Sequence, residues 1–382
     1  MIEPPLLLQS LRKQGVSFFT GVPDSLLKDI CAHITAVLPP QQHIIASNEA
    51  CAVGLAIGHY LATKHPALVY LQNSGLGNVV NPVTSLADPE VYAIPMLIMV
   101  GWRGEIMPDG EQMADEPQHR KQGRVTLDQL KVLNIPYRVI NADTNGIEAL
   151  IGGLLAQAVA RSGPVALVVR KGTFSACAGE GLKQSPLLPT REQAIKSVLG
   201  AIDDNAAVVS TTGKASREVF ELRRDNAQGH HRDFLTVGGM GQASQIAAGI
   251  AIADPQRQVV CIDGDGAALM HLGGLATSAD CDNLLHVLIN NEAHESVGGQ
   301  PTKGNVLDFS RIAVDMGYRH AERVDSLARL ESVLARYATL RGSRFVEVRC
   351  KLGSRGDLGR PDRSPVENKL DFMQFLGATN DG

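Results

Sequence analysis

Two apolar segments in the second half of the chain each end in polar residues that could bind a metal ion. In "CIDGDGAAL", Asp265 stands between Gly264 and Gly266 directly after an apolar run, and in "LLHVLINNEA" the run ends at Asn290 and Asn291. Glycines allow a sharp turn whose backbone N–H groups can face an anion, and carboxylate and amide oxygens are the ligands that Mg²⁺ prefers. A glycine turn alone is common in purely structural loops, but the two segments together predict a site for a metal ion and a phosphate.

The elements that would position these residues are strands of a parallel sheet. Apolar, β-rich runs alternate with helical segments along the chain, which is typical of parallel sheets covered on both faces. The runs are "PALVYLQ" at 66–72, "IPMLIMV" at 94–100, "GPVALVVRKG" at 163–172, "NAAVVSTTG" at 205–213, "QVVCIDGDG" at 258–266, "LLHVLINN" at 284–291 and "SRFVEVRC" at 343–350. We expect an α/β fold of two domains, each a parallel sheet flanked by helices, with ligands beyond the carboxyl ends of the strands.

A glycine- and proline-containing stretch without hydrophobic periodicity separates the two halves. It predicts domains at residues 1–175 and 191–382, joined by a linker at 176–190. Thr190 is the predicted N-cap of the next helix, and Glu192 lies in its first turn.

The composition excludes several classes of function. The chain has 382 residues with a net charge of -4, and its pI is near 6.3. This balance gives no basic field for nucleic acid or anionic lipid. The N-terminal apolar run is too short for a signal peptide and no stretch would span a membrane, so the default location is the cytoplasm. The six cysteines form no C-x-x-C pair, and we interpret them as reduced structural thiols.

The stretch from Gly264 to Asn291 resembles the G-D-G…N-N motif of thiamin-diphosphate enzymes in its length and in both flanking strands. The resemblance implies that Asp265, Asn291 and the main-chain oxygen of Ala293 bind Mg²⁺, which in turn holds the cofactor's diphosphate. The cofactor-binding residues implied around this motif are Gly264, Asp265, Gly266, Ala267 and Asn291.

Two further segments resemble parts of the same family. "IIASNEACAVGLAIGHYLAT" is similar to the pyrimidine-binding segment, and the resemblance implies that Glu49 binds the cofactor and protonates its pyrimidine ring. Without the resemblance, Glu49 could be a solvated carboxylate at a helix N-terminus. "VGGMGQASQIAAGIA" is similar to the segment that bends the cofactor, which assigns Gly239 and Met240 to the cofactor site. Family members bind the cofactor between two subunits, so a homo-oligomer, dimer or larger, is implied.

The two-domain arrangement resembles the phosphonopyruvate decarboxylases and, more loosely, the sulfopyruvate decarboxylases, on segments such as "FFTGVPDSLLKDI", "LQNSGLGNVVNPVTSL" and "NNEAHESVGGQPT". The resemblance implies the release of CO₂ from a 2-oxo acid. A nicotinamide dehydrogenase is the alternative from another enzyme class, but no strand is followed by G-x-G-x-x-G. A non-catalytic member of the thiamin fold is disfavoured because Glu49, Asp265 and Asn291 are all present.

Candidates for proton transfer and ring contact come from the turns. Asp24, in "GVPDS", could assist proton transfer at the carbonyl, cap the helix "SLLKDICAHI", or do both. Asn73 and Ser74 lie in a glycine-rich turn suited to contact with a flat ring or the substrate. His119, predicted to lie in the loop "DEPQHRKQG", and His294, after the metal-binding segment, are candidate acid–base groups.

Several cationic and polar residues could bind an anionic substrate. "TTGKAS" is not a phosphate-binding Walker loop, because Val208 occupies the place of its first glycine, and Lys214 could instead meet the substrate. A phosphonate carries more negative charge near pH 7 than a sulfonate and should gather more cationic donors. The remaining candidates are Gln300, Thr302, Lys303, Arg355 and Arg360. They favour phosphonopyruvate, although a solvated, charged C-terminal loop would also explain the two arginines.

Overall fold

The computed structural model describes residues 1–177 and 185–377, which divide into two compact units. One consists of Met1–Leu182 with Val297–Gln300, and the other of Lys183–Ser296 with Pro301–Gly382. Part of the predicted linker therefore lies outside the described residues. At its C-terminal end, Thr190 caps the next helix in a capping box with Gln193, and Glu192 lies in the first turn, as predicted.

The first unit contains a six-stranded parallel sheet. Its strands are β1 Phe19–Gly21, β2 His43–Ile45, β3 Leu68–Gln72, β4 Leu97–Gly101, β5 Tyr137–Ile140 and β6 Val165–Val169, in the order β2-β1-β3-β4-β6-β5. Its helices are α1 Pro4–Lys13, α2 Lys28–Val37, α3 Glu49–Thr63, α4 Leu76–Pro82, α5 Pro117–Val132 and α6 Ile147–Arg161. Successive strand residues enter different apolar clusters, for example Leu68 and Val69, so both faces of this sheet are covered.

The second unit contains another six-stranded parallel sheet. Its strands are β7 Ala207–Ser210, β8 Asp233–Leu235, β9 Val259–Gly264, β10 Leu284–Asn290, β11 His320–Val324 and β12 Arg344–Arg349. Its helices are α7 Arg191–Ala201, α8 Lys214–Asp225, α9 Ala243–Ala253, α10 Asp265–Met270, α11 Gly274–Ser278, α12 Phe309–Asp315, α13 Leu327–Tyr337 and α14 Pro365–Phe375. The strand order β8-β7-β9-β10-β12-β11 repeats that of the first unit. The predicted α/β fold with two parallel sheets is confirmed.

All seven strands predicted from the apolar runs are present. The other five strands of the described residues were not among those runs; they are the central strand β1 and the four edge strands β2, β5, β8 and β11. Within the described part of the chain no helix is long and apolar enough to cross a membrane.

Candidate active site

Asp265 lies at the carboxyl end of a central strand, as the sequence predicted. It is the first residue of α10 and follows Gly264, where β9 ends. Its side chain is buried, and Oδ2 accepts a hydrogen bond from the hydroxyl group of Thr302. Burial raises the pKa of Asp265 to about 7. Ionising this carboxyl group therefore costs free energy, which a neighbouring cation would offset.

The first of the two asparagines at the end of β10 has a structural role. Strands β9 and β10 are paired with Ile289 beside Gly264, so both strands end at the same edge of the sheet. Asn290 is fully buried, and its Nδ2 donates to Glu347 Oε1 at 2.7 Å and to the carbonyl oxygen of Gly304 at 2.8 Å. These bonds attach β10 to its neighbouring strand and to the loop above it.

The second asparagine presents its amide oxygen toward the backbone that follows it. Asn291 Nδ2 donates to Glu295 Oε2 at 2.9 Å, while Oδ1 accepts a long hydrogen bond of 3.3 Å from the N–H of Ala293. An amide oxygen has two lone pairs, so this contact does not exhaust its capacity. The second asparagine, rather than the first, is therefore suited to bind a cation.

The surroundings of Asp265 and Asn291 fit a magnesium ion and a diphosphate. A carboxylate, an amide oxygen and the main-chain carbonyl of Ala293 are hard oxygen donors, and the buried carboxyl group favours a cation beside it. A Cβ built on Gly266 would lie 3.1 Å from the ring of His294, so a larger residue at this position would crowd that ring.

Met240 lies in a turn between two glycines with positive φ. The φ angles are +63° at Gly239 and +89° at Gly241, a conformation that favours glycine. The turn brings the Met240 methyl group to 3.4 Å from the position of a Cβ on Gly266, beside His294. Burial lowers the pKa of His294 to about 4. The structure thus brings three predicted residues, Met240, Gly266 and His294, together.

Glu49 begins α3 in the first unit, where Asn48 caps the helix by accepting a hydrogen bond from the N–H of Cys51 at 2.8 Å. Glu49 is 5% exposed, so the alternative of a solvated helix carboxylate is wrong. Asn78 Nδ2 donates to Glu49 Oε2 at 2.6 Å, and a Cβ on Gly75 would lie 2.5 Å from Oε1. The glycine in the turn after β3 therefore provides the space that this carboxyl group occupies.

Asp24 is fully buried after β1, and its Oδ2 accepts from the N–H of Leu26 at 3.0 Å. Its Oδ1 has no hydrogen-bond partner within residues 1–177 and 185–377. Burial raises its pKa to about 6, although backbone hydrogen bonds and the charge of Arg103 oppose this shift. The alternative that Asp24 caps a helix starting at Ser25 is wrong, because α2 begins at Lys28 and has no side-chain cap.

His119 lies in a helix rather than in the predicted loop. Pro117 is the first residue of α5, a position where its fixed φ favours helix initiation, and His119 follows in the first turn. Its side chain is buried, and Nδ1 has no partner in the described part of the chain. Burial and the charge of Arg103 lower its pKa to about 4, so the imidazole is neutral at pH 7.

Sequence reasoning missed Arg103, which follows β4 in "GWRGE". Its Nε donates to Asp115 at 2.8 Å and its Nη1 donates to Ser25 at 2.9 Å, beside the buried Asp24. An arginine two residues after a buried strand was the signal that could have identified it.

The turn after β3 forms several hydrogen bonds within the first unit, in addition to its predicted role in binding a ring or the substrate. Asn73 is fully buried, and its Nδ2 donates to the carbonyl of Arg103 and to Thr126 Oγ1, both at 2.9 Å. Its Oδ1 accepts from the N–H of Arg103 at 3.2 Å. The side chain thus joins the ends of β3 and β4, whereas Ser74 is exposed.

Two predicted anion-binding cations are already paired with carboxylates. Lys214 Nζ lies 2.8 Å from Glu295 Oε1. Arg355 contacts Glu192 at 2.9 Å, Asp357 at 3.1 Å and also Glu221. Their positive charges are therefore neutralised by the protein, which argues against their assignment as substrate residues.

The other predicted substrate residues differ in their surroundings. Lys303 and Arg360 are exposed. Gln300 is buried, and neither polar atom of its side chain has a hydrogen-bond partner in the described ranges. Thr302 contacts Asp265 and is thereby placed at the predicted metal site rather than with an anion.

Comparison with known proteins assigns the two halves of the chain to one family. Residues 5–131 match the family described as "Thiamine pyrophosphate enzyme, N-terminal TPP binding domain". Residues 211–348 match the corresponding "C-terminal TPP binding domain".

The chain is also similar to named enzymes along nearly its whole length. It is 33% identical to phosphonopyruvate decarboxylase of Streptomyces viridochromogenes, covering 98% of this chain and 95% of that protein. It is 35% identical to the enzyme of the same name from Streptomyces hygroscopicus, with 98% and 94% covered. Sulfopyruvate decarboxylase of Methanosarcina acetivorans is 24% identical, with 97% and 96% covered. The chain therefore belongs to the thiamine pyrophosphate enzyme family and is a decarboxylase homologous to the phosphonopyruvate decarboxylases.

Proposed function

We propose that this enzyme decarboxylates 3-phosphonopyruvate to phosphonoacetaldehyde and CO₂, with thiamin diphosphate and Mg²⁺, as a step of phosphonate biosynthesis. The bond between the carboxylate carbon and the carbonyl carbon breaks, and a proton replaces CO₂ on that carbonyl carbon. The observation that carries the proposal is the full-length similarity to two phosphonopyruvate decarboxylases, together with the buried carboxyl group of Asp265 beside Asn291.

The residues that would hold the cofactor follow from the sites described. Asp265, Asn291 and the carbonyl oxygen of Ala293 would bind Mg²⁺, and the backbone at Gly264, Gly266 and Ala267 would lie against the diphosphate. Glu49 would contact the pyrimidine ring of the cofactor, and Met240 would hold the cofactor in its bent conformation. Thiamin diphosphate, when bound, supplies the electron sink that accepts the bonding pair released with CO₂.

The protein's own side chains would hold and move protons. Glu49 is buried with Asn78 on one carboxylate oxygen, so we propose that it holds a proton toward the pyrimidine ring. Asp24, whose pKa is raised to about 6, can exchange a proton near neutral pH. His119 is neutral at pH 7 and would act as a hydrogen-bonding or proton-accepting group rather than as a positive charge.

Sequence identity favours the phosphonate substrate over the sulfonate. The chain is 33% and 35% identical to the two phosphonopyruvate decarboxylases but 24% identical to the full-length sulfopyruvate decarboxylase. Arg360, Lys303 and Gln300 remain as proposed substrate contacts. Sulfopyruvate remains the alternative substrate, because its anionic head is also tetrahedral.

A homo-oligomer with the cofactor between subunits is part of the proposal. The sulfopyruvate decarboxylase relatives from Methanothermobacter thermautotrophicus include proteins named as alpha and beta subunits, 33% identical over 141 residues and 36% identical over 194 residues. Their names indicate an assembly of more than one chain.

The test of the substrate is kcat/KM for phosphonopyruvate, sulfopyruvate and pyruvate. We expect phosphonopyruvate to be used at least 100-fold better than the other two, and Arg360→Ala to erase most of this preference. Arg355→Ala is the matched control. Arg355 is already paired with carboxylates, so we expect its removal to leave the substrate preference unchanged. Faster turnover of sulfopyruvate by the wild type would refute the substrate, and unchanged ratios in Arg360→Ala would refute the role of that arginine.

A further inference from the structure

A largely buried ion-pair network in the second unit contacts the proposed metal ligand Asn291 through Glu295. Glu295 lies four residues after Asn291, and its Oε2 accepts the hydrogen bond from Asn291 Nδ2 at 2.9 Å. The same carboxylate lies 2.5 Å from Arg191 Nη1 and 2.8 Å from Lys214 Nζ. Arg191 also donates to both oxygens of Glu218, at 2.7 and 2.8 Å. Glu295 is thus held by three donors at once.

The residues that hold Glu295 lie on helices outside the loop that carries the metal ligand. Arg191 is the first residue of α7, which Thr190 caps, and Glu218 lies on α8. Both side chains of this pair are less than a tenth exposed. Ion pairs that are buried and bidentate hold their geometry far better than exposed ones. The position of the Glu295 carboxylate is therefore fixed from outside its own segment.

The chemistry of an amide makes this contact important for the metal. One end of the Asn291 side chain donates hydrogen bonds and the other accepts them, and only the oxygen can bind Mg²⁺. Glu295, as a carboxylate beside two cations, acts only as an acceptor, so it binds the nitrogen and directs Oδ1 away from itself. Without this contact the amide could rotate and present its N–H groups to the cation.

We propose that Glu295 is a positioning residue that fixes the amide of Asn291 with its oxygen toward Mg²⁺. This inference rests on the proposed function, in which Asn291 is a metal ligand. Residues of this kind, which contact a ligand of the metal rather than the metal, typically contribute 10- to 100-fold to metal affinity.

The primary measurement is the affinity for Mg²⁺, by calorimetric titration with saturating thiamin diphosphate. Glu295→Ala should weaken Mg²⁺ binding about 10- to 100-fold. Glu218→Ala is the matched control, because it removes a second buried carboxylate from Arg191 without touching Asn291. We expect that control to lower the melting temperature but to change Mg²⁺ affinity less than about 3-fold.

A second substitution separates positioning from general support of the loop. In Asn291→Asp, both side-chain oxygens can bind the cation, so orientation no longer matters, and the new carboxylate lies beside that of Glu295. Adding Glu295→Ala to Asn291→Asp should leave Mg²⁺ affinity unchanged or increase it, because it removes a like charge. A residue that merely supports the loop would weaken binding on both backgrounds, and that result would overturn the proposal.

One further variant tests the metal site separately from the positioning role of Glu295. Asn291→Ala should abolish measurable Mg²⁺ binding, and unchanged binding would refute the metal site itself. If Asn291→Ala weakens binding but Glu295→Ala does not, the metal site stands and the positioning role is refuted. Should Glu295→Ala fold poorly, Glu295→Gln replaces it on the same two backgrounds, with a smaller loss expected because its amide oxygen can still accept from Asn291.

Discussion

The two units share one strand order, but the turns after their third strands differ in charge. In the first unit β3 leads to Asn73, a buried neutral amide that forms three hydrogen bonds within the unit. In the second unit the equivalent strand β9 leads to Asp265, a buried carboxyl group whose pKa is raised to about 7 by burial. Both sheets therefore have the same arrangement of strand ends, and the residue type at the end of the third strand determines which of the two suits a cation.

The units also differ in the groups near their other strand ends. The first unit carries the buried carboxyl groups Asp24 and Glu49 after β1 and β2, whereas the second carries Asp265 and Asn291 after β9 and β10. We therefore expect substitutions in the first unit to change rate and those at the sheet edge of the second to change cofactor binding.

Glu49→Gln should give the largest effect. The amide keeps the size of the side chain but cannot exchange the proton, so the turnover rate should fall by about 10²–10⁴ while cofactor affinity changes little. Single-turnover kinetics and calorimetric binding measure the two quantities. Glu148→Gln, in the first turn of α6 but exposed, is the control and should be near wild type. Near-normal turnover of Glu49→Gln would remove Glu49 from the mechanism.

Asn73→Asp makes the two sheet edges more alike in charge. We expect it to lower the free energy of unfolding by about 2–3 kcal/mol, because a buried carboxylate cannot donate to Arg103 or Thr126. Urea unfolding measures this loss, and the exposed Asn81→Asp should cost much less. The variant should gain no second Mg²⁺ site, and a second site in calorimetry would mean that charge alone, without the surrounding oxygens, is sufficient.

Asp24→Asn should show an effect that depends on pH. Because folding raises the pKa of Asp24 from 3.8 to about 6, the folded state binds this proton more tightly, so its ionisation lowers stability as pH rises from 4 to above 6. The asparagine variant escapes this cost. Its stability relative to wild type should be similar at pH 4 and greater by about 3 kcal/mol at pH 7.5. An equal difference at both pH values would contradict the raised pKa.

Most of the central strands could be predicted from sequence, and the edge strands could not. All seven predicted strands form continuous buried runs, because both faces of a central parallel strand pack against helices. The four edge strands are partly exposed, as in His43–Ile45 and Tyr137–Ile140, so they lack an apolar run. The central strand β1 was also missed, because it has only three residues. Edge strands are specified by pairing with their neighbour, which a local pattern does not show.

The candidate site shows a similar division. Asp265, Asn291 and Glu49 follow or precede recognisable local elements, and the structure places them at strand ends or at a helix start. The ion pairs of Lys214 and Arg355 join residues distant in the sequence, so no local pattern revealed that these charges are already neutralised. The proline and charges around His119 predict a loop, but proline is also favoured at a helix start, and the structure has a helix there.

The most direct test of the metal and diphosphate site is the effect of Mg²⁺ with thiamin diphosphate on the thermal stability of wild type and Asp265→Ala. At about 100 times the dissociation constant, binding should stabilise the wild type by about 2.7 kcal/mol and raise its melting temperature. We expect no such increase for Asp265→Ala, whose fold should remain intact without the cofactor because the substitution removes a carboxyl group that is costly to bury. An equal increase in both proteins would show that the metal and diphosphate bind elsewhere.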